Sequence, residues 1–365
     1  MSTTVEEIEK TETDKRDKDE LLLDSLEIKG YRCFEHLTIE KLGRVNLIVG
    51  KNNVGKTALL EALWIYSEGG DQFQLAKIAY FRDERPDAPV RQNFPFERIQ
   101  NVAAEAFLGR NIDRQLLPEN QEYPRHLFFK RPTEIEIPVK FSIGKRFSES
   151  EEDETVIVRL EIREHDATFV LTSNDNERLI NYFMRSNGLS SDLMAEFWDE
   201  ISLTNLEDFV VESLKIVLGS IQRVSFIGFP KGAKNRIAVA RISEFSEPIP
   251  LKSLGEGMNR LLGIALALVN CKDGILLIDE IEVGLHYSVL PDVWKLIFKT
   301  AKDLNVQVFA TTHSKDCIEA FAQAAVDSPE DGMLVQLIRQ GEKIIAKNIE
   351  EDRLAEALNY EVEVR

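Results

Sequence analysis

Cysteine is scarce in this chain: Cys33, Cys271 and Cys317 are its three, far apart and never in a C-x-x-C pair. A disulfide framework and a zinc site are therefore not expected, and the three read as buried free thiols. Long apolar runs are also missing. The longest, Leu261 to Cys271, is too short to cross a bilayer and gives way at once to Lys272 and Asp273. The N-terminus lacks the basic-then-apolar order of a secretory signal, so the expected setting is cytoplasmic, with no membrane partner. Positive charge is in deficit: 45 Lys and Arg face 63 Asp and Glu, a formal charge of −18. Such a surplus of negative charge opposes wholesale wrapping by nucleic acid. Two local stretches, Arg125 to Arg131 (RHLFFKR) and Lys231 to Arg241 (KGAKNRIAVAR), read either as a basic groove for DNA or as solvated positive faces. Internal repeats are absent, and no sustained heptad pattern marks a coiled-coil arm.

The composition that remains is that of a globular protein, 43% hydrophobic and 8% aromatic over 365 residues. The first twenty residues depart from it, with eight acidic and four basic side chains and little to bury, so residues 1–24 are expected to form a solvated acidic tail. From 25 to 68 the pattern predicts strand, turn, strand, apolar strand and helix, a βαβ-type opening. Residues 69–206 read as a mixed insert, with strands at 134–143, 155–162 and 167–172 and helical spacing at Leu193 to Ile201. Helical spacing returns at Leu206 to Ile216, followed by a strand at 221–229. Residues 257–270 predict an apolar helix, 275–279 a strand, 288–304 an amphipathic helix and 306–312 another strand, and 321–365 form a C-terminal extension. VNLIVG, ILLID and VQVFATT are apolar on both faces, the pattern of central parallel strands covered by helices on each side. The expected class is α/β.

The segment from Gly50 to Thr57, GKNNVGKT, fits G-x-x-x-x-G-K-[ST] and stands between an apolar strand and a helix, the context that a phosphate-binding loop requires. Gly50 and Gly55 allow backbone N–H groups of the loop, through Asn52, Asn53 and Val54, to turn toward phosphate oxygens. Lys56 then reaches the β and γ phosphates of ATP, and Thr57 is a ligand for Mg²⁺. ILLIDE places Asp279 and Glu280 at the C-terminal end of a buried strand, where ligands of open α/β sheets gather. Asp279 suits Mg²⁺, directly or through water, and Glu280 suits polarisation of an attacking water. A third apolar strand ends in Thr311, Thr312, His313 and Ser314, which puts His313 within reach of a γ-phosphate or makes it a capping residue.

These three motifs, in this order, resemble the ABC-type ATPase heads of the SMC, RecF and OLD families, over about residues 25–68 and 207–320. SLGEGMNR, Ser253 to Arg260, lies where those families carry the signature LSGGQ, with Leu254, Gly255, Glu256, Gly257 and Met258 aligned to it. Gly255 replaces the signature serine, so Ser253 or the backbone at the following helix N-terminus would supply the γ-phosphate contact. The resemblance places Gly284, Leu285 and His286 in the loop that crosses a dimer interface. It sets Arg32 near a nucleotide-contacting basic residue and leaves Gln92 and Gln100 as alternative Q-loop residues. It is nearest to the AAA_15-type single-head ATPases, which include the ATPase of the PARIS anti-phage system and relatives of the OLD nuclease ATPase domain.

The resemblance implies a P-loop NTPase with ATP and Mg²⁺ as cofactors, an ABC-type head with a mixed α/β insert between P-loop and signature helix. Glu280 and His313 would be catalytic. The working unit would be a homodimer or higher homo-oligomer, acting as a switch on a separate effector protein such as a nuclease, in prokaryotic defence. A RecF-like ATP-dependent DNA clamp and a nearly inactive nucleotide-bound scaffold are the alternatives.

Overall fold

The computed structural model describes residues 21–68, 78, 82, 139–144, 155–163, 166–172, 179–228, 236–328 and 331–349. Gln92, Gln100, the Arg125–Arg131 stretch and residues 1–20 lie outside the described residues, whereas the end of the expected tail is not solvated: Leu22 and Leu23 are buried, and the Gln307 side chain bonds the backbone of Leu23.

The chain opens with a tight hairpin, β1 (Leu26–Tyr31) and β2 (Phe34–Ile39), paired antiparallel with Tyr31 opposite Phe34. Arg32 in its turn has φ +48. The hairpin continues through β4 (Val139–Gly144), β5 (Thr155–Arg163) and β6 (Asp166–Thr172) into a five-stranded antiparallel sheet, order β2-β1-β4-β5-β6. The opening is thus not the βαβ unit that alternation predicts. Its first two strands belong to one sheet, and the apolar strand β3 (Val45–Val49) belongs to another.

That second sheet is the centre of the molecule. Its order is β14-β13-β3-β12-β11-β7, built from β3, β7 (Asn181–Met184), β11 (Ile275–Ile278), β12 (Gln307–Thr311), β13 (Gly332–Gln340) and β14 (Lys343–Ile349). All neighbours are parallel except the β13–β14 hairpin at one edge. Period-2 alternation divides the core in two. Val45, Leu47, Val49, Leu276, Ile278, Val308 and Ala310 face one cluster, and Ile48, Ile275, Leu277 and Phe309 face the other. Truncating a fully buried leucine such as Leu277 to alanine would cost about 2–5 kcal/mol.

On the second side lies α1 (Lys56–Ser67), whose Ala58, Leu59, Leu60, Ala62, Leu63 and Ile65 are all buried. On the first side lie α2 (Ser191–Ile201), α3 (Asn205–Leu214), α4 (Glu256–Asn270), α5 (Leu290–Asp303) and α6 (Lys315–Val326). A small antiparallel sheet, β8 (Ile221–Gly228), β9 (Arg236–Ile242) and β10 (Ile249–Pro250), packs its Val224, Phe226, Ala238 and Ala240 into the same cluster. Two helices show the local logic. In α5, Val293, Trp294, Ile297, Phe298 and Ala301 recur at helical spacing, and Trp294 meets Phe321 of α6 edge-on at 5.0 Å between ring centroids. Ser314 caps α6 by accepting the Cys317 N–H.

Two departures from the sequence expectation bear on the site. β7 and α2 fall before residue 206, yet β7 pairs with β11 and α2 packs with α4, so the span 69–206 contributes to the central layer itself. At the other end, β13 inserts beside β3, and the C-terminal extension completes the sheet.

Candidate functional site: the P-loop end of the central sheet

β3 runs into Gly50 and the chain wraps into a loop that only glycine permits at two places. Gly50 has φ +144, and a Cβ there would lie 2.5 Å from the Leu337 carbonyl oxygen of β13. Gly55 has φ +101 at the N-cap of α1, and a Cβ would lie 2.4 Å from Cys33 Sγ and 2.8 Å from the Phe34 ring. The hairpin turn of the antiparallel sheet therefore braces the loop from outside. Asn53, with φ +60, is held by Arg339, which donates to its carbonyl at 2.9 Å. Lys51, Asn52 and Asn53 are exposed, and Val54 turns into the core. The N-terminus of α1 has neither a side-chain cap nor an acidic residue in its first turn. Its leading N–H groups and the positive end of the helix dipole thus form an anion site.

Lys56 is 6% exposed and folds across this cradle, donating to the carbonyls of Gly50 at 2.7 Å and Lys51 at 3.2 Å. Its ammonium also lies 3.3 Å from His313 Nδ1. Burial lowers its pKa from the ordinary lysine value, while Asp279, Glu280 and Glu282 pull the other way. A cation held this way has exchanged water for carbonyls that a phosphate can displace.

Thr57 and Asp279 meet across the sheet edge, the hydroxyl 3.2 and 3.3 Å from the two carboxylate oxygens. Asp279 also accepts the Thr311 hydroxyl at 2.7 Å, and its N–H donates to Met184 of β7. Glu280 follows in a left-handed conformation, φ +49, which is unusual for a non-glycine residue. Its N–H donates to Thr311 Oγ1 at 2.9 Å. Its carboxylate lies 3.6 Å from His313 Nε2, so His313 stands between Lys56 and Glu280 with one ring nitrogen toward each. The His313 N–H donates to Glu282 at 2.9 Å.

The residues that the resemblance aligns with a signature form a second group. Ser253 lies in a single 3-10 turn, Leu251–Leu254, and Gly255, φ +109, ends it and caps α4. Like α1, α4 has no side-chain cap, and nothing lies within 4 Å of the Cβ that Gly255 lacks. Glu256 opens the helix, and Gly257 faces Gly284, whose carbonyl would lie 2.7 Å from an added Cβ. His286 is exposed and lies against Tyr287, the ring centroids 4.3 Å apart and the planes tilted by 38°.

Arg32, expected beside the nucleotide, is 9% exposed and pairs with Glu61 at 3.1 Å on the flank of α1. Arg82 joins the same fully buried carboxylate at 2.7 Å. In the Lys231–Arg241 stretch, residues 236–241 form most of β9, and Arg236 is ion-paired with Asp199. Three residues carry no individual role in the sequence alone, although Thr311 and Arg260 fall within motifs marked there. Thr311 joins Asp279 to Glu280, Glu282 seats His313, and Arg260 of α4 donates to the carbonyls of both Asp279 and Glu280.

Asp279 and Thr57 offer hard oxygen donors at one point, the chemistry that Mg²⁺ prefers. Among the described residues no cluster of three or more His, Cys, Asp or Glu converges on a metal position. Among the described residues, no helix is long and apolar enough to cross a membrane.

A protein-family profile described as "AAA domain, putative AbiEii toxin, Type IV TA system" matches residues 45–316. A Helicobacter pylori ATP/GTP phosphatase is 25% identical over 337 residues, covering 83% of this chain and 88% of that protein. An uncharacterized protein of Methanocaldococcus jannaschii is 39% identical over 93 residues, 26% of this chain and 82% of its own length. The DNA replication and repair protein RecF of Thioalkalivibrio sulfidiphilus is 39% identical over 49 residues, 13% of this chain and 14% of that protein. Among solved structures, an SMC head bound to the C-winged helix domain of ScpA superposes with a TM-score of 0.52 at 14% identity, covering 91% of this chain and 99% of that one. With the profile spanning the P-loop, the signature helix and the His313 strand, the chain belongs to this AAA-domain family and is an α/β P-loop NTPase with the fold of an ABC-type ATPase head.

Proposed function

We propose that this protein is an ATP-hydrolysing switch whose two-subunit, ATP-closed form controls a separate effector in prokaryotic anti-phage defence. The observation that carries the reading is the Lys56–His313–Glu280 chain beside the Thr57–Asp279 pair, all at the mouth of an uncapped helix. The cradle of Gly50, Asn52, Asn53, Val54, Gly55, Lys56 and Thr57 would bind the triphosphate. Lys56 would leave its carbonyls for the β and γ oxygens. Glu280 would accept a proton from the attacking water, and His313 would hold the γ-phosphate end while keeping Glu280 oriented. Mg²⁺, held by Thr57 and Asp279, would neutralise charge on the β and γ phosphates.

Two observations support pairing. The N-terminus of α4, from Ser253 through Gly255, Glu256 and Gly257, is open, and Gly255 has empty space around it. Beside it Val283 and Tyr287 are large apolar residues with 39% and 63% of their surface exposed. An exposed helix N-terminus next to exposed apolar surface suits the γ-phosphate held by a second copy. The family description, with its type IV toxin–antitoxin system, supports a defence role. The ATP/GTP phosphatase of Helicobacter pylori supports nucleotide hydrolysis.

The test is ATP turnover per subunit across a protein concentration series. Turnover should rise with concentration, stop on removal of divalent ions, vanish in Lys56→Ala, and fall by roughly 10²–10⁴-fold in Glu280→Gln. Turnover at the parent rate in Glu280→Gln would falsify the assignment of the base. The short RecF match favours a second reading, a DNA clamp closed by ATP. Retention on duplex DNA that depends on ATP and weakens with salt would support it, and no retention at low salt would remove it.

A further inference from the structure

Arg260 is a buried cation that the proposed chemistry does not use. It sits one turn into α4, four residues after Glu256, and is 4% exposed. Its two terminal nitrogens donate to four backbone carbonyls: Arg185 at 2.7 Å, Ser186 at 3.3 Å, Asp279 at 2.9 Å and Glu280 at 3.0 Å. Burial lowers its pKa to about 10, against the pull of Glu282, Asp279, Glu280 and Glu256. A buried charge is a poor way to gain stability, because an apolar side chain of similar volume often serves as well or better. What the guanidinium offers is geometry: a rigid fork that fixes several carbonyls at once.

The carbonyl of Glu280 needs fixing. The residue holds φ +49, a conformation that a side chain with Cβ keeps only when its surroundings over-determine it. Three bonds do so here, one of them the local turn bond in which the Val283 N–H donates to the Glu280 carbonyl at 3.1 Å. Thr311 takes the N–H from within the sheet, and Arg260 takes the carbonyl from α4. The same first turn of α4 touches the loop after Glu280 through Gly257 and Gly284. The helix N-terminus and the peptide unit of the acidic residue are therefore joined through one side chain.

We propose that Arg260 is a positioning residue that ties the strained backbone of Glu280 to the signature helix, so that the carboxylate faces His313 only when α4 is seated. The inference rests on the reading of Glu280 as the base for ATP hydrolysis. It assigns to α4, beyond any contact with phosphate, a hold on the Glu280 of its own subunit.

The test compares Arg260→Met and Arg260→Lys with the parent in the full-length protein. Steady-state ATP turnover, affinity for a fluorescent ATP analogue and thermal midpoint are measured together. The expected result is a loss in kcat of about 10–100-fold for the methionine variant, the range for removing a supporting hydrogen-bond partner. Nucleotide affinity should stay within about threefold, because the P-loop is untouched. Lysine should recover part of the loss, since its ammonium can still donate to the Asp279 and Glu280 carbonyls. A kcat within twofold of the parent in both variants overturns the proposal. So does a parallel fall of kcat and nucleotide affinity, which would make Arg260 a general support of the site. If the methionine variant does not fold, the lysine variant decides by the same criteria, and failure of both to fold assigns Arg260 to stability alone. Parent protein without turnover, or Glu280→Gln turning over like the parent, defeats the underlying ATPase reading instead.

Discussion

Thr311 shows how little side chain is needed to set two acidic residues at once. Its hydroxyl donates to Asp279 and accepts the N–H of Glu280, and the residue is fully buried. Thr311→Val keeps the shape and removes both bonds. We expect a loss of about 1–3 kcal/mol in stability from the unpaired Glu280 N–H, with a fall in kcat. Thr311→Ser should restore both, and denaturant titration beside ATP turnover measures the pair; a valine variant with parental stability and kcat would show that the two bonds are dispensable. At this scale the sequence was legible where chemistry is contiguous. GKNNVGKT and ILLIDE carry their roles within eight and six residues. Arg260, Thr311 and Glu282 were not legible, because each acts on a group brought near only by the fold: Arg260 reaches back 75 positions to the Arg185 carbonyl. Arg32, placed near the nucleotide by likeness alone, is paired with Glu61 in the structure.

At the scale of elements, the first turn of α4 is the contact through which the signature segment meets the loop from Ile281 to His286. Gly257 allows that contact, since a Cβ would come within 2.7 Å of a backbone oxygen that no side-chain rotation can move away. Gly257→Ala should therefore displace the loop carrying Gly284, cost about 1–3 kcal/mol as an overpacked contact, and lower ATP turnover more than ATP affinity. Unchanged turnover in a well-folded variant would mean that the loop has slack. The apolar strands β3, β11 and β12 were readable because all of their residues are buried, and α4 and α5 because their apolar spacing is long. β7 was not. It is four residues long, and its register with β11 comes from a partner 94 positions away. β9 was hidden differently: its arginines drew attention to charge, while the inward alternation of Ala238, Ala240 and Ile242 is the strand signal.

For the whole molecule, the order of the central sheet decides what can be removed. β3 lies between β12 and β13, and β13 in turn carries β14. Ending the chain at residue 331 would leave one side of the fully buried β3 without its ladder and would remove Leu337, whose carbonyl closes on Gly50. Unpaired apolar strand edges aggregate, so the truncated protein should appear in the insoluble fraction and bind no nucleotide when refolded, as gel fractionation and a fluorescent ATP analogue would report. A soluble, nucleotide-binding product would mean that the C-terminal hairpin is an ornament of the sheet. The same order has a consequence for synthesis. Both neighbours of β3 are made last, β12 beginning at residue 307 and β13 at residue 332, whereas β3 ends at residue 49. At roughly 5–20 residues per second of translation, the phosphate loop waits on the order of 10–60 seconds for its first flanking strand. A nascent chain that has not yet presented β12 and β13 thus lacks both flanks of its phosphate loop, and a message cut short before the codons of β13 should yield no subunit able to hold nucleotide.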